Sequence, residues 1–198
     1  MAARSSCFWL AGEWWGCGQE FGIVPLSRER IYWFAARNVP EGEEDLPSGR
    51  KQALLKPFQG WYPASPALIQ ATREDAILRN GIYDRPPLMA WSRGRVTLLG
   101  DAAHPMTPNQ GQGACQAVED AVVLAASLRA SGSIQQALQT YQTTRLPRAT
   151  LIVTRSHQLG ALVQRPGRLA CWARNTLMRL LPAPLRLKQL EPVITYEV

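Results

Sequence analysis

The chain has 198 residues, 46% of them hydrophobic and 19% charged. That balance excludes disorder over the whole length, and no apolar run approaches the ~18 residues a membrane span requires. Lys and Arg outnumber Asp and Glu by 22 to 15, a formal charge of +7.

The excess charge sits at the end. Residues 129–198 hold ten basic residues against Glu191 and Glu197. Such a tail suits nucleic acid, anionic lipid or a solvated helix face. Base stacking needs aromatic residues, and Tyr141, Trp172 and Tyr196 are too widely spaced for it. The tail therefore reads as a solvated surface with no nucleic-acid partner. Cys7, Cys17, Cys115 and Cys171 form no CxxC pair, and His104 and His157 lie far apart, so no metal site is expected. Four cysteines in a chain of this size make no disulfide framework, which points to reduced thiols in a cytoplasm. Residues 1–10 lack the length and the cleavage site of a signal peptide.

In chain order, residues 20–37 read as a β-hairpin. Phe21, Ile23 and Val24 lead to Pro25, where the first strand should end for want of an N–H. The break Ser27-Arg28-Glu29-Arg30 separates it from the aromatic run Ile31-Tyr32-Trp33-Phe34-Ala35. Residues 38–49 are a surface loop with a solvated acidic cluster from Glu41 to Asp45. A helix over about 49–58 follows, with Ser48 as its cap, and Ser65-Pro66 opens another as cap and first helical residue. Val96–Leu99 is an apolar run without alternation, which suits a strand buried on both faces of a parallel sheet. No other segment offers it a parallel neighbour.

After that run comes a tight loop over 102–110, then a helix opened by Gly111-Gln112-Gly113. Ala114, Ala117, Val118, Ala121, Val122, Ala125 and Leu128 recur along one face of it. Ser131-Gly132 ends this helix and Ser133 caps the next, which should kink or break at Pro147. Beyond Gln158 the chain reads as amphipathic helices broken at Pro166-Gly167 and over 182–184. Arg165, Arg168, Arg174 and Arg179 form their solvated face.

A carboxylate at the end of a buried strand, here Asp101, points to where α/β sheets bind ligands. A glycine-rich helix start adds unsatisfied N–H donors and a partial positive charge. Together they suit a ligand with hydroxyls and an electron-accepting ring. The residue types go no further.

The run Gly100-Asp101-Ala102-Ala103-His104-Pro105, with Pro108, Gly111-Gln112-Gly113 and Glu119-Asp120-Ala121, resembles the second FAD motif of the flavoprotein aromatic hydroxylases. These include para-hydroxybenzoate hydroxylase, zeaxanthin epoxidase and urate hydroxylase. The hairpin around Phe21–Pro25 and Tyr32–Phe34, and Ile82-Tyr83-Asp84-Arg85-Pro86-Pro87, resemble other parts of the same family. The likeness spans roughly residues 13–146. It implies an α/β fold, here an α+β piece: part of a β-sheet substrate domain over 1–85, part of a doubly wound FAD-binding domain over 86–146, and a basic helical tail over 147–198.

The resemblance implies FAD as cofactor, NAD(P)H and O2 as co-substrates, and a small organic substrate that is hydroxylated or epoxidised. Asp101 would bond the ribityl hydroxyls, and the backbone from Gly111 through Gln112, Gly113 and Ala114 to Cys115 would face the flavin ring, with Gly100 and Pro108 shaping the turn. Glu20, Tyr32 and Asn109 are the substrate-side candidates, and no residue is singled out as catalytic. His104 reads as a packing residue of the loop. In urate hydroxylases the Glu20 position looks like arginine and the Asn109 position like aspartate, so an anionic purine is not expected. The family's GxGxxG unit for the ADP half of FAD is missing, as is its Asp-Gly motif, so the chain reads as a C-terminal half that does not work as an enzyme alone. A related reductase or halogenase, or a non-catalytic remnant, are the other readings.

Overall fold

A computed structural model describes residues 11–27, 30–43 and 48–196. Residues 1–10, the Arg28–Glu29 break and the Glu44–Asp45 part of the acidic cluster lie outside them. The chain divides into two compact units, Met1–Gly81 with Val163–Trp172 and Ile82–Leu162 with Ala173–Val198. The boundary expected at 147 falls inside a continuous helix.

The first unit is built on an antiparallel sheet of β1 (Gly12–Trp15), β2 (Gln19–Pro25) and β3 (Ile31–Arg37), in that order. The expected hairpin is β2–β3, and β2 ends at Pro25. Strand alternation sends Phe21 and Ile23 to one face, where they pack with Phe58 and Ile69. Phe58 belongs to α1 (Arg50–Phe58) and Ile69 to α2 (Ala64–Ala71). Phe21 stacks on Trp33 at 5.5 Å and meets Phe58 edge-on at 5.4 Å. The opposite face of β2 presents Glu20, Gly22 and Val24. The ring of Phe34 lies across Gly22 so closely that a Cβ there would sit 2.2 Å from it. The 163–172 segment is tied to the strand ends: Asn38 Nδ2 donates to the Gln164 carbonyl at 2.8 Å, and the Gly18 N–H to that of Arg165 at 3.1 Å.

Both expected helix caps here are corrected. Ser48 does not cap α1. The cap position is Gly49, and Glu74 Oε1, from another segment, accepts from the N–H groups of Gly49 and Lys51 at 3.0 and 3.1 Å. A carboxylate satisfies two orphan donors where one serine hydroxyl could satisfy one. Ser65 lies inside α2, which begins one residue earlier, and is fully buried.

The second unit holds a short hairpin, β4 (Ser92–Arg93) with β5 (Val96–Thr97), against α3 (Gly113–Ala130) and α4 (Ile134–Val163). The Val96–Leu99 run finds no parallel neighbour among the described residues. Its partner is β4, antiparallel, and Val96 stays 68% exposed. A strand pairs with whatever ladder is within reach, and a tight turn at Gly94 supplies this one. The hairpin is held on α4: Gln142 Oε1 accepts from the N–H groups of Trp91 and Ser92 at 2.6 and 2.8 Å. Trp91, Ala103, Val123, Tyr141 and Ala149 make the core.

On α3 the apolar face is not the buried one. Its buried residues are Gln116, Asp120, Val123 and Ser127, while Val118, Val122 and Leu128 are exposed. The polar stripe is the one that meets a buried arginine of α4. Ser133 caps α4 as expected, accepting from the Gln136 N–H at 3.2 Å. Pro147 does not break α4, which runs on to Val163. A mid-helix proline costs about 3 kcal/mol, but buried Arg145, Arg148, Ala149 and Ile152 hold both flanks. Past it come α5 (Arg168–Leu180) and α6 (Ala183–Ile194), with breaks where the prolines predict them. Arg174 is not on a solvated face; it is buried and donates to the Leu162 carbonyl. No helix among the described residues is long and apolar enough to cross a membrane.

Gly22→Ala should destabilise the protein by about 1–3 kcal/mol, because the new methyl group must displace the Phe34 ring. Chemical denaturation checks this, and a stability change near zero would contradict the close approach.

Candidate functional site

The site begins at Gly100, where β5's chain turns. Gly100 has φ +57, a conformation that side chains rarely adopt, and is buried, with Ala117 of α3 close by. The turn continues as a short 3-10 segment over Gly100–Ala102 and leaves Asp101 exposed. Arg85 fastens it from outside, donating to the carbonyls of Ala102 and Ala103 at 2.6 and 3.3 Å. A second 3-10 segment, Pro108–Gln110, ends at Gly111 with φ +63 and delivers the chain to the start of α3.

Between these turns and α3 lies an open cleft of about 490 Å³, lined by Asp101, Met106, Thr107, Pro108, Gly111, Gly113, Ala114 and Ala117. Five of the sequence candidates thus meet at one cleft: Asp101, Pro108, Gly111, Gly113 and Ala114. Gly100 supports it from behind, Gln112 is the cap residue of α3, and Cys115 is exposed on the first turn. Asn109 Oδ1 faces α4 at Gly160, where a Cβ would come within 2.6 Å of it. Glu20 and Tyr32 belong to the first unit. Sequence reasoning missed Met106, Thr107 and Ala117, which carry no distinctive chemistry.

Behind the cleft is a buried polar network. Asp120 is fully buried on α3. Its Oδ2 accepts from the Gly100 N–H at 2.8 Å and lies 2.7 Å from His104 Nε2, while its Oδ1 accepts from Arg145 Nε at 2.8 Å. Arg145, also fully buried, donates further to Glu119 Oε2 at 2.5 Å and Gln116 Oε1 at 2.8 Å. Arg148 extends the network to the carbonyls of Pro192 and Val193. Burial opposes the charge on Asp120, but His104, the Gly100 N–H and Arg145 outweigh it and hold the carboxyl below its ordinary range. Burial, with the Asp120 charge adding to it, pushes the Tyr141 phenol up, so it stays protonated and donates to the Leu98 carbonyl at 3.2 Å. His104 is the packing residue expected, seated 5.4 Å from the Trp91 ring. Asp120 itself stood in the sequence motif without a role; an acid seven residues past a glycine-rich helix start was its signal.

Residues 85–156, which contain the cleft and the Asp120–Arg145 pair, match the family model described as FAD binding domain. The chain is 48% identical over 169 residues to the aurachin C monooxygenase/isomerase of Stigmatella aurantiaca, covering 85% of this chain and 44% of that protein. Klebsiella pneumoniae HpxO, solved with FAD and uric acid, matches with a TM-score of 0.84 at 31% identity, over 90% of this chain and 46% of that one. The chain is similar along most of its length to parts of these two proteins. Another relative is the chloroplastic zeaxanthin epoxidase of Solanum lycopersicum, 50% identical over 113 residues, covering 57% of this chain and 17% of that one. The chain thus spans less than half the length of each of these relatives.

Two outcomes follow. Asp120→Ala should cost about 3–5 kcal/mol, because it strips a buried arginine of a charged partner; urea denaturation checks it, and a cost below that of an ordinary surface substitution would contradict the network. In the first unit, burial and the neighbouring Glu13 raise Glu20 from 4.5 to about 7. The folded state then holds a proton that the unfolded chain has released, so this contribution is full below about pH 4.5 and is lost as pH rises through about 7. Melting curves should show wild type losing stability relative to Glu20→Gln between pH 5 and 8; parallel curves would contradict it.

Proposed function

We propose that this chain carries the flavin-ring cradle and the substrate sheet of an FAD-dependent monooxygenase that hydroxylates or epoxidises a small organic molecule with O2 and NAD(P)H. The observation that carries the reading is the cleft. It combines an exposed carboxylate, two glycines that put no side chain in the way, and a helix start whose first N–H groups lack intrahelical acceptors. These residues fit a polyol-linked ring that gains negative charge on reduction.

In this reading the Asp101 carboxylate accepts hydrogen bonds from the ribityl hydroxyls. The backbone from Gly111 to Cys115 faces the pyrimidine edge of the ring, and the α3 dipole stabilises negative charge there. Met106, Thr107 and Pro108 wall the ring and limit water. FAD, when bound, supplies the electron transfer and oxygen chemistry. Glu20 and Tyr32 face the substrate, whereas Asn109, turned towards Gly160, acts through the shape of its loop. We read residues 86–146 as part of a doubly wound domain. The support is the apolar surface of Val96, Val118, Val122 and Leu128, open on a chain less than half as long as its relatives.

Asp101→Ala should weaken FAD binding roughly ten- to hundredfold, the effect of leaving a buried ribityl hydroxyl unpaired at about 1–3 kcal/mol. Titration with FAD of a protein that also carries the ADP-binding unit, followed by flavin fluorescence, measures it. Unchanged affinity would remove Asp101 from the ribityl role.

A further inference from the structure

The tight turn between β1 and β2, Gly16-Cys17-Gly18, takes no part in the site described above. Its cysteine is exposed and has a glycine on either side, Gly18 with φ +69, so no neighbouring side chain of the turn shields the thiol. Against the turn lies the bend Arg165-Pro166-Gly167 that leads into α5, and both belong to the first unit. The Gly18 N–H donates to the Arg165 carbonyl at 3.1 Å. One helical turn past Gly167 comes a second cysteine, Cys171, which is only 4% exposed.

The contacts of the two cysteines cross over. Cys17 Sγ lies 3.9 Å from the Gly167 carbonyl oxygen, which also accepts the Cys171 N–H at 3.0 Å. Cys171 Sγ lies 3.8 Å from the Gly16 carbonyl oxygen, an atom of the peptide group that begins Cys17, and 3.3 Å from that of Arg165. Each sulfur therefore sits against the backbone that carries the other, although most of the sequence separates them. Rotation about the two side chains, with the backbone already in place, is what joining them requires.

We propose that Cys17 and Cys171 form a reversible disulfide when the protein meets a peroxide, clipping the start of α5 to the β1–β2 turn. The exposed Cys17 sulfur attacks one oxygen of hydrogen peroxide; the O–O bond breaks, water leaves and Cys17 becomes a sulfenic acid. The Cys171 sulfur then attacks that of Cys17. The S–O bond breaks, the S–S bond forms, and the departing hydroxide takes the Cys171 thiol proton as water. Two thiols thus lose two electrons and one peroxide is reduced to two waters. Burial divides the roles: the exposed sulfur meets the oxidant, and the covered one resolves the product. The closed loop restricts the unfolded chain, so the oxidised form is the more stable one. A dithiol reductant reverses the reaction.

The test treats the full chain, first reduced, with hydrogen peroxide, blocks remaining thiols and digests it after Glu and Arg without reduction. Residues 14–20 then carry Cys17 alone and residues 169–174 carry Cys171 alone. Mass spectrometry should find these two peptides joined, in a chain that runs as a monomer on a non-reducing gel. The melting temperature should rise by about 5–10 °C on oxidation and fall back with dithiothreitol. Cys17→Ser, at an exposed position, should melt as the reduced wild type does and show no rise. Cys171→Ala should leave a sulfenic acid on Cys17 that dimedone traps, with circular dichroism confirming the fold. No cross-link, Cys17 joined to Cys7, to Cys115 or to a second copy, or an unchanged melting temperature would overturn the proposal.

Discussion

Arg145 carries a charge that no solvent reaches, and much of the second unit is arranged to neutralise it. An unpaired buried guanidinium would be prohibitively costly, so α3 turns Gln116, Glu119 and Asp120 towards it instead of its alanines and valines. Asp120 then spends its second oxygen on the Gly100 N–H and His104. One charge therefore fixes which face of α3 is buried, the left-handed turn at Gly100 and the outward display of Asp101. The same arginine lies two residues before Pro147 and helps keep α4 continuous across a residue that would otherwise break it.

The first unit obeys a different constraint. Its sheet buries aromatic rings on one face and leaves acceptors on the other, with Gly22 serving both sides. Glycine there lets Phe34 lie flat over the strand. Glu20 is buried there, in side-chain contact with Glu13 and Gln164.

Much of this was legible in the sequence where local chemistry decides. The period-two pattern of Phe21 and Ile23, the stop at Pro25, the Ser133 cap and the breaks near Pro166 and Pro182 are all properties of short segments. The motif from Gly100 to Gly113 likewise brought five site residues to one cleft. What failed depended on distant partners. The apolar stripe of α3 looks like a core face until Arg145, on another helix, claims the polar stripe. Val96–Leu99 reads as a strand buried on both sides, with no parallel neighbour offered by this chain, and among the described residues it pairs with Ser92–Arg93. Ser48 lost its capping role to Glu74, 26 positions away in the chain. Periodicity reports which residues share a face, and only the fold reports which face is covered.

The Asp120–Arg145 pair holds the Gly100 turn as a core element is held, and so pre-forms the cleft. Amide hydrogen exchange, resolved by residue, measures this in the unmodified protein. The Gly100 amide should exchange as slowly as that of Ile152 in the middle of α4, since both open only when the unit unfolds. Exchange of Gly100 at the rate of Gly42, in an exposed loop, would contradict the account: the turn would then be a flexible segment, and the buried ion pair would stabilise the helices without shaping the site.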